Sequence, residues 1–403
     1  MNYNDVVFGD IVELITNKVN ASEISLYNYI STDNMLPNRG GVTYASSLPA
    51  ANKFNAFSET DTLFSNIRTY FRKVWFAGFS GGASADVLIF RSKNSSFLDP
   101  HFLYYVASNK TFVDYTDLTS KGAKMPRGDK DAIAKFPLKL PQISDQKAIA
   151  SVLGTLDDKI ENNRRMNETL EEMARTIFKS WFVDFDPVHA KAAGNVPAHM
   201  DADTAALFPS SFGDDGLPEG WDNKTLGDVC KITSGKRPPT KMTAPDNENN
   251  ISVYGGNGVA WYTNKVLFEP PFIITGRVGT LGTVYRVYEK CWVSDNALCC
   301  FPSNKDALEL IYFAMKEIDY QSLNSGSTQP LLTQTTLKSQ NIIAPSKEVA
   351  LAFHQNMEIL FKKVLANDEE NQTLADLRDT LLPKLMSGEI RVADAEHEVE
   401  AAL

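Results

Sequence analysis

The residues that can do chemistry in this chain sit in glycine-rich loops, and they suit gripping a polyanion better than breaking bonds. The sharpest case is Ile274-Thr275-Gly276-Arg277-Val278-Gly279-Thr280-Leu281-Gly282. Glycines let a backbone approach a ligand closely, and an arginine fork can engage a phosphate or the edge of a guanine. A plain hairpin turn with a surface arginine has the same composition. Tyr254-Gly255-Gly256-Asn257-Gly258 can offer Asn257 to a base edge, and turn chemistry accounts for Gly-Asn-Gly equally well. Ser234-Gly235-Lys236-Arg237 ahead of two prolines holds two cations in a constrained loop, suited to phosphate or simply to water. Ser325, Ser327, Thr328 and Gln329 supply hydroxyls and an amide; Lys121 and Lys124 supply cations at the matching place earlier in the chain. Arg68, Arg72, Lys73, Arg127, and Ser80 in the Gly78–Gly82 turn complete the candidate contacts. Contacts to phosphate position a protein and contacts to bases specify its target; the sequence does not sort these residues between the two.

Reaction chemistry has little to stand on. There is no nucleophile–base pairing, no carboxylate pair and no P-loop. Asp184-Phe185-Asp186 follows directly on a helical pattern and reads as a helix-end linker rather than a metal site. The five histidines are scattered. None of Cys230, Cys291, Cys299 and Cys300 forms a C-x-x-C pair, so the expectation is no metal and a reduced, cytoplasmic chain. The N-terminus lacks a basic region followed by an apolar stretch, so no signal peptide is expected. No apolar run approaches the roughly 20 residues that span a bilayer, so no membrane partner is expected.

Behind the loops lies an internal repeat. Gly9-Asp10-Ile11-Val12 echoes Gly227-Asp228-Val229-Cys230. Ser84-Ala85-Asp86-Val87-Leu88 echoes Ser294-Asp295-Asn296-Ala297-Leu298, and Gly122 through Pro126 echoes Gly326 through Pro330. The separation shrinks along the chain and then holds: Pro141 matches Pro345, and Asn167-Glu168-Thr169-Leu170 matches Asn371-Gln372-Thr373-Leu374. The unit is a variable block followed by a segment of constant length.

Each constant segment carries a heptad seam. In the first it runs Ile149, Leu153, Leu156, Ile160, Asn163, Asn167, Leu170, Ala174, Ile177, Trp181. In the second it runs Phe353, Met357, Leu360, Val364, Asn367, Asn371, Leu374, Arg378, Leu381, Leu385. Two asparagines interrupt both at the same places. The pattern predicts two long helices packed antiparallel, with Asn163 and Asn167 near Asn367 and Asn371 fixing register. A rod of roughly 50–60 Å follows from the helical rise. Asn-interrupted stripes on an ordinary globular core are the alternative. Ser144 and Ser346 are expected N-caps, and Pro383 is expected to weaken or kink the second helix.

The resulting division is 1–141 and 221–345 as mixed α/β domains, and 142–185 and 346–390 as long helices. Residues 186–220 read as a partly ordered linker and 391–403 as an acidic, mobile tail. Strands are expected at Phe71–Ala77, Asp86–Phe90, Pro271–Thr275, Thr283–Tyr288 and Ala297–Phe301, with short helices from Pro100 and Asp306. The net charge of −10 looks wrong for a binder of nucleic acid. The acid is concentrated in the helices, linker and tail, however, and the two mixed blocks are close to neutral.

The stretch from Gln146-Lys147-Ala148-Ile149 through Asp184-Phe185-Asp186-Pro187 resembles the central constant region of Type I restriction-modification specificity subunits. The distal Leu381-Leu382-Pro383-Lys384-Leu385-Met386-Ser387-Gly388-Glu389-Ile390 resembles their C-terminal constant region. The likeness covers essentially the whole chain. It implies an α+β protein in which two target-recognition domains are separated by two antiparallel coiled-coil helices with an internal pseudo-two-fold repeat. It further implies a non-catalytic subunit bound to double-stranded DNA with a split target, to two modification subunits and to restriction subunits. S-adenosylmethionine, ATP and magnesium belong to those partners, and no cofactor to this chain. The Ser325–Gln329 and Lys121–Lys124 loops fall where that family closes its reading surface. Two rival readings differ in class. One is a coiled-coil scaffold that binds protein only. The other is a single-chain adenine methyltransferase, since Glu269-Pro270-Pro271-Phe272 resembles the Asp/Asn-Pro-Pro-aromatic motif that grips a flipped adenine. Its glutamate is one methylene too long, and no helix of a βαβ unit follows the glycine-rich loop.

Overall fold

The computed structural model describes residues 3–122, 125–279, 281–326 and 329–403. The chain divides into two compact units, Met1–Arg164 with Asn367–Leu403, and Arg165–Ala366. Each unit is one mixed α/β domain together with one stretch of each long helix.

The two domains are built on the same plan. In the first, Tyr3–Val7 pairs antiparallel with Pro137–Pro141 and closes the domain just before the long helix. The main sheet has the order Val12–Leu14, Val87–Ser92, Thr62–Ser65, Val74–Phe76, all antiparallel. In the second, Asp222–Thr225 closes on Asn341–Ala344. Its main sheet runs Cys230–Ser234, Ala297–Pro302, Phe272–Gly276, Val284–Val287, the same order with the same directions. Each domain adds a smaller sheet with one parallel pairing: Tyr29–Ile30 beside Gly81–Ala83 in the first, and Ile251–Gly255 beside Trp292–Val293 in the second.

Period-two alternation explains why the central strands read as unbroken apolar runs. Successive side chains point to opposite faces, and both faces are covered. Phe64, Leu88 and Phe90 join the core under the helices, whereas Leu63, Val87 and Ile89 join the one under the small sheet. In the second domain Ile273, Leu298 and Cys300 face the helices, and Phe272, Ile274 and Cys299 face the small sheet. Helices Pro100–Ser108 and Leu308–Lys316 occupy corresponding places after the sheet. The first starts cleanly because Asp99 accepts the Phe102 amide at 3.0 Å and Pro100 stands at its first position. The expected strands are present but shifted by one to three residues. The largest change is at Phe71, which ends a 3₁₀ turn, so that strand begins only at Val74.

The long helices span Ile143–Phe182 and Lys347–Ser387. Within each unit their stretches run antiparallel. In the first, Asp157 meets Arg378 and Asn163 meets Asn371; in the second, the Phe182 and Phe353 rings meet edge to face at 4.9 Å. The seam residues Ile149, Leu153, Leu156, Phe353, Met357 and Leu385 are fully buried. Gln146 pins the first helix to its domain. Its amide donates to the Phe97 and Pro141 carbonyls, each at 2.9 Å, and accepts the Asp99 amide.

Three expectations need correction. Ser144 is not a cap, because the helix begins at Ile143 and the Gln142 carbonyl accepts the Gln146 amide. Ser346 does occupy its expected place, accepting the Val349 amide at 3.3 Å. Pro383 lies inside the second long helix, which continues to Ser387 and stops at Gly388 with φ of 75°. Residues 186–220 are more than a linker: Asp186–Ala192 and Ala202–Ala206 are helical, and Val188 and Phe208 enter the second unit's core beside Trp181 and Trp221. The acidic tail forms a helix, Val392–Ala402, whose Ala395 and Val399 are buried in the first unit's core.

Candidate nucleic-acid interface

In the first domain three of the proposed cations are brought together by backbone pairing. Lys121 and Arg127 exchange two bonds of 2.8 and 2.9 Å, and the Arg68 amide donates to the Pro126 carbonyl at 3.0 Å. All three side chains are exposed. Arg127 lies 3.0 Å from Asp86, and Lys121 pairs with Asp129. Ser80 is exposed on another loop, where its hydroxyl accepts the Glu59 amide at 3.1 Å. Arg72 and Lys73 turn inward. Arg72 pairs with Asp379 at 2.8 Å and donates to the Ser108 carbonyl; Lys73 donates to the Thr32 carbonyl at 2.6 Å. The Arg72 charge is therefore answered within the protein, and the Lys73 ammonium is engaged by a backbone carbonyl. Lys124, Thr280, Ser327 and Thr328 lie outside the described residues.

In the second domain a cleft of about 310 Å³ is lined among others by Asn257, Gly258, Trp261, Val278, Ser294 and Asn296; of the residues proposed from sequence, Asn257 alone lines it, and Arg277 stands next to Val278 at its edge. Asn257 is exposed at the tip of the hairpin joining Ile251–Gly255 to Gly258–Thr263, where Gly258 has φ of 97°. Arg277 is held from three sides. Its amide donates to Asn296, its carbonyl accepts from Leu332, and its guanidinium reaches Ser234 Oγ at 3.2 Å. The Gln334 amide lies 2.8 Å from the same hydroxyl. The Arg277 loop is zipped to the loop carrying Gln329: Gly279 donates to the Pro330 carbonyl, and Val278 bridges Leu331. Ser325 closes its own loop, its hydroxyl donating to the Leu331 carbonyl at 3.0 Å.

Gly235 is required sterically, since a Cβ there would come within 2.2 Å of the Ser294 carbonyl oxygen. That close approach locks the next residues in place. The Lys236 amide donates to Val293 and its carbonyl accepts the Trp292 indole at 2.7 Å, while Lys236 and Arg237 themselves are exposed. Tyr254 points elsewhere. Its hydroxyl donates to Glu289 at 2.9 Å, and burial together with that carboxylate pushes the phenol well up.

Sequence reasoning missed Ser294, Asn296, Gln334 and Trp261. Lys241 stands 4.1 Å over the Trp261 ring. The first two belong to the Ser294–Leu298 segment already marked by the repeat. Among the described residues, no group of three or more His, Cys, Asp or Glu is arranged to hold a metal ion. Asp184 pairs with Lys179, and Asp186 accepts the Ser180 hydroxyl at 2.7 Å, both at the end of the long helix. Glu269 is exposed and paired with Lys290 at 3.2 Å. Among the described residues, no helix is long and apolar enough to cross a membrane.

The fold and loops thus define a duplicated α/β domain, each copy presenting cations on loops and each seated on antiparallel helices. The chain belongs to the Type I restriction modification DNA specificity domain family, whose model matches residues 2–172 and 218–377. It is 27 % identical to the Type I restriction enzyme HindI specificity subunit of Haemophilus influenzae, across 96 % of this chain and 100 % of that protein. It is 26 % identical to the MjaIX specificity subunit of Methanocaldococcus jannaschii, across 73 % of this chain and 69 % of that protein. The fold is similar to that of a Type I restriction-modification system S subunit from M. genitalium, with a TM-score of 0.51, 17 % identity and 96 % of each chain covered.

Proposed function

We propose that this chain selects the DNA sequence for a Type I restriction-modification complex, reading a split target with one domain on each half. The observation that carries the reading is the duplication: two domains of one strand order, each with its own cluster of loop cations, in a chain matched twice by a DNA specificity domain family. Two similar but non-identical readers suit two different short sequences. The chain itself is non-catalytic and cytoplasmic, and it binds no cofactor. It holds two modification subunits and associates with restriction subunits, and those partners bring S-adenosylmethionine, ATP and magnesium.

The test is co-expression with the modification subunits followed by sequencing of methyladenine sites. Two short motifs at a fixed gap are the expected result. A stable complex that leaves no split motif would favour a scaffold that binds protein only. Arg277→Glu places a carboxylate beside Ser234 and the cleft. It should cost roughly 5- to 150-fold in target affinity, since one good arginine–base or arginine–phosphate contact carries about 1–3 kcal/mol. Assembly with the modification subunits should be intact. Equal loss of assembly would show that the loop serves protein contacts instead.

A further inference from the structure

Asn38, Arg39, Arg68 and Arg72 all hold left-handed backbone, with φ between 50° and 60°. Non-glycine residues avoid that region. These four lie in two loops that are bonded to each other: Asn38 donates to the Phe71 carbonyl at 2.9 Å and Arg39 to the Arg72 carbonyl at 3.0 Å. Such strain persists only where the surroundings over-determine it, and it collects at functional sites.

What holds the loops here is one carboxylate of the second long helix. Arg39 has a fully buried side chain and pairs with Asp379, with Nη1 3.3 Å from Ser108 Oγ. Arg72 takes the other Asp379 oxygen at 2.8 Å. Arg378 next to it pairs with Asp157, which also accepts the Tyr105 hydroxyl at 2.7 Å. Between Arg68 and Arg72 lies a single 3₁₀ turn, Thr69–Phe71, tied to Asp117 through the Thr69 hydroxyl at 3.4 Å. This turn carries Tyr70 and Phe71, 49 % and 39 % exposed, with ring centroids 4.7 Å apart. Beside them are exposed Arg68 and, through the Pro126 carbonyl, the Lys121–Arg127 pair. Two large, half-exposed aromatic rings beside Arg68 have no part in the core, while Lys121 and Arg127 are paired with Asp129 and Asp86.

We infer that this double loop is a preformed DNA-reading tip, and that Asp379 is its positioning residue. Arg68 engages phosphate or a base edge, and Tyr70 with Phe71 packs against the sugars and base edges of a groove. A residue of the constant helix thereby governs base preference in the half of the target read by the first domain. The other half is independent of it, because the repeat places Arg175 where Asp379 stands, and Arg175 pairs with Glu317 instead. The inference rests on the DNA-reading function proposed above.

The experiment uses the full chain in complex with its modification subunits, with methyladenine sequencing and binding to libraries randomised in each half-site. Arg277→Ala marks the half read by the second domain. Asp379→Asn should lower base discrimination about ten-fold in the other half, the size of one lost base-pair preference, and leave the Arg277-dependent half sharp. Asp379→Glu should recover part of it. Tyr70→Ala with Phe71→Ala, at exposed positions, should weaken binding through that same half. Intact discrimination in Asp379→Asn, or a loss spread equally over both halves, overturns the inference. If Asp379→Asn fails to assemble, the aromatic double variant decides, and unchanged discrimination there overturns it. If the wild-type complex shows no split target, the DNA-reading function itself fails and takes this inference with it.

Discussion

Asp379 shows what one charge does when several partners surround it. Burial alone would raise its carboxyl, but the guanidiniums of Arg39, Arg378 and Arg72 win and hold it below the usual carboxylate range. A depressed acid stabilises the fold above its unfolded value, about 3.9, and loses that contribution as pH falls through the folded value. Removing one partner of a buried pair costs about 3–5 kcal/mol. Asp379 keeps a third of its side chain exposed, so about 1–3 kcal/mol is the expected cost of Asp379→Asn near neutrality once solvent screening is allowed for. Urea unfolding of wild type and variant between pH 3 and 7 should show a gap at pH 7 that closes below about pH 4. A gap independent of pH would assign the loss to packing rather than charge. Arg72 also shows why the sequence misplaces a residue as a surface contact. Its counter-charge lies 307 positions downstream, and no local pattern signals that meeting.

Elements were legible in proportion to the size and spacing of their buried side chains. The long helices could be read because Ile, Leu, Phe and Met recur on a heptad seam in two copies. The structure sets Asn163 2.7 Å from Glu370 and 3.1 Å from Asn371, and Asn167 3.5 Å from the Val364 carbonyl. The terminal helix escaped notice although Val392, Ala395, Val399 and Ala402 keep the same spacing, because alanine and valine between glutamates barely rise above a solvated run. The strand order and the left-handed loops were not legible at all: pairing partners are distant in sequence, and Asn38, Arg39, Arg68 and Arg72 carry none of the glycine signal that marks such backbone. The overlooked helix is nonetheless structural. Ala395 and Val399 join the core formed by Leu381, Leu382 and Leu385. Burial of one valine contributes roughly 1.5–3 kcal/mol, so Val399→Asp should lower the first unit's stability by about 3 kcal/mol once the buried charge is included. Hydrogen exchange should localise the loss to 1–164 and 367–403. Unchanged protection there would mean the helix is merely resting on the surface.

At the scale of the whole chain the two domains look interchangeable by strand order, yet their seats on the helices are made of different chemistry. In the first unit the helices offer Asp157, Arg378 and Asp379 to Arg39, Arg72 and Tyr105. The repeat places Phe361, Ala174 and Arg175 at those positions. In the second unit the Phe361 ring lies under the Arg286 guanidinium at 3.1 Å and stacks near Phe313, while Ala174 is fully buried. A first domain transposed onto the second seat would bring Arg39 and Arg72 over Phe361 with Arg175 in place of Asp379, leaving the half-exposed Glu171, 3.9 Å from Arg286 in the native seat, to answer both guanidiniums. An unpaired buried charge costs several kcal/mol, a large share of the 5–15 kcal/mol that holds a domain folded. A chain with residues 3–141 copied in place of 222–345 should therefore be insoluble or melt far below the parent. Phe361→Asp with Ala174→Arg and Arg175→Asp should restore it, because these changes rebuild the ionic seat. Exchange of the contiguous segment Arg165–Ala366 with that of a related subunit should need no such repair, since each domain then travels with its own stretches of both helices. Thermal unfolding of the three chains decides the matter. Equal melting of the transposed chain with and without the three substitutions would show that the two seats accept either domain, and that the order of the readers is not written in the helices.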